Sequence, residues 1–119
     1  MRYLLMIYTD EKVEAGMTPA EQEAYMAGYS AFSKATRERQ AYLGGEALES
    51  VSAATTVRVR NGKAVTTDGP YAETKEQLGG YYLVNCKDLD EAIELATMIP
   101  GARHGAIEVR PIHEFGAEV

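Results

Sequence analysis

Apolar residues occupy both alternating faces of two short segments, Arg2 to Thr9 and Gly80 to Cys86. Short runs of this kind are typical of strands that are covered on two sides. The sequence therefore predicts two central strands. Two further strands are predicted at Tyr42 to Leu48, which Gly44 and Gly45 weaken, and at Ala106 to Ile112.

Two other segments have the start signals and the spacing of helices. Thr18, Pro19 and Glu21 combine an N-cap, a proline at the first helical position and a glutamate that can close a capping box. A stripe of small residues follows, as far as Gln40, and predicts a helix that lies close to a sheet. The stripe consists of Ala20, Ala24, Ala27, Ala31 and Ala35. A second helix is predicted from an N-cap at Asp88 to Pro100.

A tight hairpin is predicted in the middle of the chain. Two β-rich runs, Thr55 to Arg60 and Lys63 to Thr67, flank the dipeptide Asn61-Gly62, which favours a type I′ turn. Basic residues alternate along the first run, so we expect the hairpin to face solvent. A bend at Asp68-Gly69-Pro70 then begins a polar loop.

The predicted order is β-α-β, an inserted β-hairpin and β-α-β, which is the ferredoxin-like split pattern of an α+β fold. Right-handed crossovers place both helices on one face of such a sheet. The other face then lacks a cover, although both central strands are apolar on that side. A second copy of the chain is the simplest cover, so we expect a homodimer.

Composition narrows the possible partners and the compartment. A length of 119 residues fits one domain, 1–119, and 45% hydrophobic residues fit a folded globular chain. The 18 acidic residues outnumber 12 scattered basic ones, so nucleic acid and anionic membranes are poor partners. A single cysteine, Cys86, excludes an internal disulfide and suits the cytoplasm. No apolar run is long enough to span a membrane.

The segment DGPYAETKEQLGGYYL, Asp68 to Leu83, resembles the signature of the DGPF-domain family, a branch of the YCII-related proteins. The segments RYLLMIYTDE, TTVRVRNGK, DLDEAIELA and ARHGAIEVRPI resemble the same family, so the likeness covers nearly the whole chain. Tyr71 departs from the pattern, because it stands where the family name has phenylalanine.

This resemblance implies a ferredoxin-like fold of the dimeric α+β barrel type. Most such proteins have no established activity, and many are encoded near sigma factors of the extracytoplasmic-function kind. Distant relatives of this fold include a dehydrochlorinase and muconolactone isomerase, which transfer protons on small cyclic substrates. The YCII-like enzymes are thought to use a His-Asp pair in which the histidine lies in the N-terminal half. Here both histidines, His104 and His113, lie near the C-terminus, so that pair is not carried over.

His104 and Asp68 are the candidate catalytic residues. An imidazole with an ordinary pKa of about 6.5 suits general acid or base chemistry at neutral pH, and a carboxylate can orient it. The alternatives are a solvated loop histidine and a turn aspartate that bonds to the backbone. Glu73 and Lys75 in the polar loop are candidates to line the same pocket, although such charged residues usually lie on a solvated surface.

Three further residues are candidate ligand contacts. Glu108 and Arg110 share one face of the last strand, where they form either a pocket contact or ordinary surface charges. Tyr8 is either a ligand wall or a core residue. The His, Cys, Asp and Glu spacing predicts no metal site, and no cofactor is implied. Two functions stay open: a small dimeric module that binds a small molecule in a pocket on the open sheet face, and a cofactor-free enzyme for proton transfer, elimination or isomerisation.

Overall fold

The computed structural model describes residues 1–116, which form an α+β domain. Its strands are β1 (Arg2–Thr9), β2 (Tyr42–Ala47), β3 (Thr55–Arg60), β4 (Lys63–Asp68), β5 (Gln77–Asn85) and β6 (Ala106–Pro111). Its α-helices are α1 (Glu11–Ala15), α2 (Pro19–Glu38) and α3 (Leu89–Thr97). Short 3₁₀ turns lie at Val51–Ala53 and Pro100–Arg103.

Four strands form an antiparallel sheet in the order β2-β5-β1-β6. The two strands predicted to be central, β1 and β5, are its inner strands. This order and the helix placement are compatible with a ferredoxin-like fold. The second sheet contains β3 and β4 alone.

The core lies on one side of the four-stranded sheet. Along β1, Tyr3, Leu5 and Ile7 are buried against the helices, whereas Leu4 and Met6 on the opposite face are partly exposed. From α2 and α3 the core receives chiefly Phe32, Ala92, Leu95 and Ala96. The four-stranded sheet therefore has one covered face and one open face.

Helix α2 begins as the sequence predicts. The Thr18 hydroxyl accepts from the Glu21 amide at 3.1 Å, and the Glu21 carboxylate accepts from the Thr18 amide at 2.9 Å, which is a complete capping box. The predicted small-residue stripe is wrong as a sheet contact, because four of its five alanines are exposed. Aromatic residues bury more apolar area, and Phe32 with the tyrosines of α2 takes the inward side.

The hairpin of β3 and β4 turns at Asn61 and Gly62, whose φ angles are 52° and 75°. Positive φ at both positions is the type I′ geometry. Gly69 follows β4 with a φ of 111°, and its amide donates to the Ala54 carbonyl at 2.8 Å. The bend after Asp68 therefore uses a conformation that favours glycine.

The short helix α1 bears on the site. Helix α1 is absent from the sequence prediction, because its five residues show no helical period. Asp10 caps it by accepting from the Lys12 amide at 2.9 Å.

Among residues 1–116, no helix combines the length and the hydropathy that a membrane crossing needs.

Candidate functional site

A cavity of about 750 Å³ lies between α2 and the covered face of the sheet, beside the β2 edge. We call it the main cavity. Its sheet side includes Ile7, Gly80 and Tyr82, and its helix side includes Tyr25, Met26 and Tyr29. Most of its wall is therefore apolar or aromatic, which is typical of a pocket for a small organic molecule.

Four polar side chains form a hydrogen-bonded cluster in the wall of the main cavity. The Thr9 hydroxyl donates to Oε1 of Glu14 at 2.9 Å, and the Tyr25 hydroxyl donates to Oε2 at 3.0 Å. The hydroxyls of Tyr25 and Tyr29 are 3.3 Å apart. One carboxylate thus receives two donors from different elements, β1 and α2. We call these four residues the Glu14 cluster.

The tyrosines of this cluster remain protonated donors at physiological pH. Burial raises the pKa of Tyr25, and its hydrogen bonds with Tyr29 and Glu14 add to the effect. Burial also raises the pKa of Tyr29. A hydroxyl that keeps its proton can orient a carboxylate or a ligand oxygen, but it is a poor base.

Gly101 lies close to the end of the cluster. A Cβ at this position would be 2.8 Å from Cγ2 of Ile7 and 3.0 Å from the Tyr29 hydroxyl. The turn after α3 therefore packs tightly on both the sheet and α2 here. This packing holds Tyr29 in place against Tyr25.

A second carboxylate, that of Glu11, also lies in the lining of the main cavity. Oε1 of Glu11 accepts from the Ser50 hydroxyl at 2.8 Å, and Oε2 accepts from the Val51 amide at 3.0 Å. Glu11 and Glu14 thus place two carboxylates in the lining, whereas no lysine, arginine or histidine of residues 1–116 lies there. The electrostatic field of the wall is therefore negative.

His104 lines a second cavity, of about 540 Å³, on the other side of Tyr25. The imidazole meets the Tyr25 ring edge-on, with centroids 5.6 Å apart. Arg103 and Glu21 also line this cavity, and Tyr25 lines both cavities. The structure thus brings His104 to a concave surface and to a tyrosine.

Asp68, Glu73 and Lys75 are all exposed, and none of them lines either cavity. Asp68 ends β4 opposite Thr55. No hydrogen bond or salt bridge joins Asp68 to His104 within the described chain. The predicted association of these two residues in one pocket stays a prediction.

The remaining candidates lie on the open sheet face. Glu108 is opposite Met6 in the β1–β6 register, and Arg110 donates from Nε to Oε2 of Glu108 at 2.9 Å. Tyr8 shares this face and contacts the Met6 sulfur through its hydroxyl at 3.9 Å. These three residues line neither cavity, because the main cavity is on the covered face.

Sequence reasoning missed the Glu14 cluster. Tyr25 and Tyr29 are four residues apart on α2, which is a sequence signal for one helix face. Glu14 gives no comparable signal, because the short α1 has no periodicity. Within residues 1–116 no group of three or more His, Cys, Asp or Glu side chains is arranged to hold a metal ion.

The chain is similar to a known family of proteins and to a relative of known sequence. The family model described as the YCII-related domain matches residues 1–116. An uncharacterised protein of Rhizobium meliloti (strain 1021) is 38% identical over 114 residues, covering 94% of this chain and 92% of the relative. The likeness therefore extends over the elements that build both cavities.

Proposed function

The chain belongs to the YCII-related family, and we propose that it is a small homodimeric protein that binds a small organic molecule in the main cavity. The observation that carries this proposal is the Glu14 cluster in the wall of a cavity of about 750 Å³. A few convergent polar groups in an otherwise apolar pocket are what orients a small ligand. We therefore favour the covered face for the ligand over the open face that the sequence suggested.

The charge of the lining limits the class of ligand. Glu11 and Glu14 contribute carboxylates to the lining, and no basic side chain of the described residues lies there to balance their charge. An anionic ligand would lose its hydration without gaining a countercharge. A neutral or cationic molecule with an aromatic or aliphatic body suits these walls best.

The homodimer is proposed from the open sheet face. Leu4, Met6, Tyr81 and Leu83 are each partly exposed there, and the helices cover the other side. A second copy packed on this face would remove the patch from water, with about 800 Å² buried per partner in a specific interface. A ligand beneath α2 and a partner on the open face would lie on opposite sides of the sheet.

A second candidate is a cofactor-free enzyme for proton transfer, elimination or isomerisation. The observation that favours it is the Glu14 carboxylate, which two hydroxyls hold in place at the cavity wall. In this function Glu14 accepts a proton from a bound substrate. His104, which packs on Tyr25, is the proton-transfer residue for a substrate in the second cavity.

The test is a screen of neutral, cationic and anionic aromatic fragments by ligand-observed NMR. We expect hits among the neutral and cationic fragments, and Glu14→Gln should weaken their binding about tenfold, which is about 1.4 kcal/mol. The control is Glu23→Gln, an exposed position on α2 outside both cavities, which should bind like the wild type.

Three outcomes separate the possibilities. An absence of hits at millimolar fragment concentration contradicts the binding proposal. Hits that bind Glu14→Gln and wild type equally contradict the assignment to the main cavity. Conversion of a hit into a product supports the enzyme, and His104→Ala or Glu14→Gln should then abolish turnover according to which cavity holds the substrate.

A further inference from the structure

The β3–β4 hairpin stands apart from the rest of the chain. Its strands pair with each other and share no ladder with the four-stranded sheet. All six residues of β4 are exposed, and so are most of those of β3. We call Thr55–Asp68 the arm. An isolated two-stranded hairpin is at best marginally stable in water, so a contact outside its own ladder would stabilise the arm.

The arm has two different faces. Directly opposed residues of an antiparallel pair share a face, so Val57 opposite Thr66 and Val59 opposite Ala64 lie together. This valine face carries no charge along its length until Asp68 at its base. The other face holds Arg58 opposite Val65, and Arg60 opposite Lys63.

The valine face is largely exposed to solvent. Val57 is 60% exposed and Val59 is 63% exposed, with no neighbouring element over them. A row of exposed β-branched residues on a short, projecting sheet favours association with another surface. Within residues 1–116, neither strand of the arm packs extensively on any element other than its partner strand.

The charge distribution favours a second copy of this chain as the partner of the arm. The arm contains three basic residues and one acidic residue, a formal charge of +2, whereas the whole chain carries −6. The rest of the chain therefore carries −8. A basic arm on a strongly acidic body is complementary to the body of an identical molecule.

We propose that each arm lies against the body of a second copy with the valine face inward, and that the long side chains of Arg60 and Lys63, at the tip of the arm, extend past its edge to acidic side chains of that copy. The inference rests on the homodimer proposed above and adds a second contact to that of the open sheet faces. Because the arm projects from its own domain, it can reach a partner without rearranging the core. In a symmetric dimer this contact occurs twice, because each copy places its arm on the body of the other.

Sedimentation equilibrium at several concentrations tests the arm with a matched pair of variants. Val59→Thr replaces one methyl group of the valine face with a hydroxyl, and Val65→Thr makes the same change on the basic face. We expect Val59→Thr to raise the dimer Kd at least threefold and Val65→Thr to change it by less. The double change Arg58→Glu with Arg60→Glu should raise the Kd more than tenfold and remove the weakening of the dimer by salt.

Cross-linking locates the contact in the unmodified chain. A zero-length carbodiimide joins an amine to a carboxylate, and an equal mixture of ¹⁵N-labelled and unlabelled protein marks which links cross between copies. We expect Lys63 at the tip of the arm to link to a carboxylate of the other copy. Links of Lys63 within one copy alone would overturn the inference.

The outcomes distinguish this inference from the proposed homodimer. A monomeric wild type overturns both. A dimeric wild type whose Kd is the same in Val59→Thr, Val65→Thr and the Glu double variant overturns the arm contact and leaves the homodimer in place. A shift of duplex DNA by the wild type at physiological salt, lost in the Glu double variant, would instead assign the arm to nucleic acid and overturn the inference.

Discussion

The phenolic hydroxyl of Tyr25 donates a hydrogen bond of 3.0 Å to the carboxylate of Glu14. Glu14 belongs to the five-residue helix α1, and Tyr25 lies in the second turn of the long helix α2. The bond therefore ties the short helix to the long one across the loop that joins them. The same carboxylate also accepts from Thr9 of β1, so three elements meet at one charged group.

Removal of the Tyr25 hydroxyl should destabilise the fold measurably. In Tyr25→Phe, Oε2 of Glu14 loses a donor and the Tyr29 hydroxyl loses its neighbour. We expect the free energy of unfolding to fall by about 1 kcal/mol, as for a partly buried bond to a charged group. Urea denaturation measures this change.

Tyr71→Phe is the matched control for that substitution. Tyr71 is 83% exposed, so its hydroxyl is hydrated in both the folded and the unfolded chain. We expect its midpoint in urea to equal that of the wild type. Equal losses in the two variants would show that the Glu14 bond contributes nothing specific.

Alkaline pH should weaken the fold through the same residue. Burial raises the pKa of Tyr25 above its ordinary value of about 10, so the folded state keeps a proton that the unfolded state releases. Its contribution to stability is complete below about pH 10 and is lost as the pH rises further. Between about pH 9 and about pH 11, the wild type should lose more stability than Tyr25→Phe. Parallel pH profiles would contradict this expectation.

A close backbone contact should make Gly105 intolerant of any side chain. A Cβ there would lie 2.0 Å from the carbonyl oxygen of Tyr8 and 3.0 Å from its carbonyl carbon. Relief of that contact requires β1 to separate from the start of β6, so Gly105→Ala should cost about 2 kcal/mol or more. Gly44→Ala is the control, since its Cβ meets nothing within 4 Å. Equal thermal midpoints for the two variants would contradict the expectation.

The bend after β4 should depend on backbone conformation alone. Gly69 has a φ of 111°, yet a Cβ there would meet no atom within 4 Å. Gly69→Ala should therefore cost about 1 to 2 kcal/mol through strain and without a steric clash. Calorimetry measures the loss, and Gly69→Asn should restore part of it because asparagine tolerates positive φ better. A wild-type midpoint in Gly69→Ala would contradict this reason.

Local chemistry explains which parts of the fold were predictable. The capping box of Thr18 and Glu21 and the double-sided apolarity of β1 each depend on residues close together in the chain. The bounds of β1 agree with the prediction residue for residue, and β5 begins earlier, at Gln77 rather than Gly80. The alanine stripe failed because small residues and aromatic residues both repeat at helical spacing, and burial of the larger area decides between them.

The site was less predictable, because its members are distant in sequence and belong to different kinds of element. Thr9, Glu14 and Tyr25 meet through the packing of β1, α1 and α2, and no spacing rule connects them. His104 was selected for its titration range, and the structure pairs its ring with Tyr25, a contact that loop composition does not encode.

The wall of the main cavity depends on the short helix α1 remaining folded. Five residues cannot maintain a helix by their own backbone hydrogen bonds, since the free energy cost of nucleating a helix exceeds what the hydrogen bonds of one turn contribute. Glu11 holds α1 to the segment after β2, and Glu14 holds it to β1 and α2, so the side chains that face the cavity also keep its wall folded. Local opening of α1 and loss of the cavity wall are consequently one cooperative event, and a molecule bound in the cavity would slow amide hydrogen exchange throughout α1.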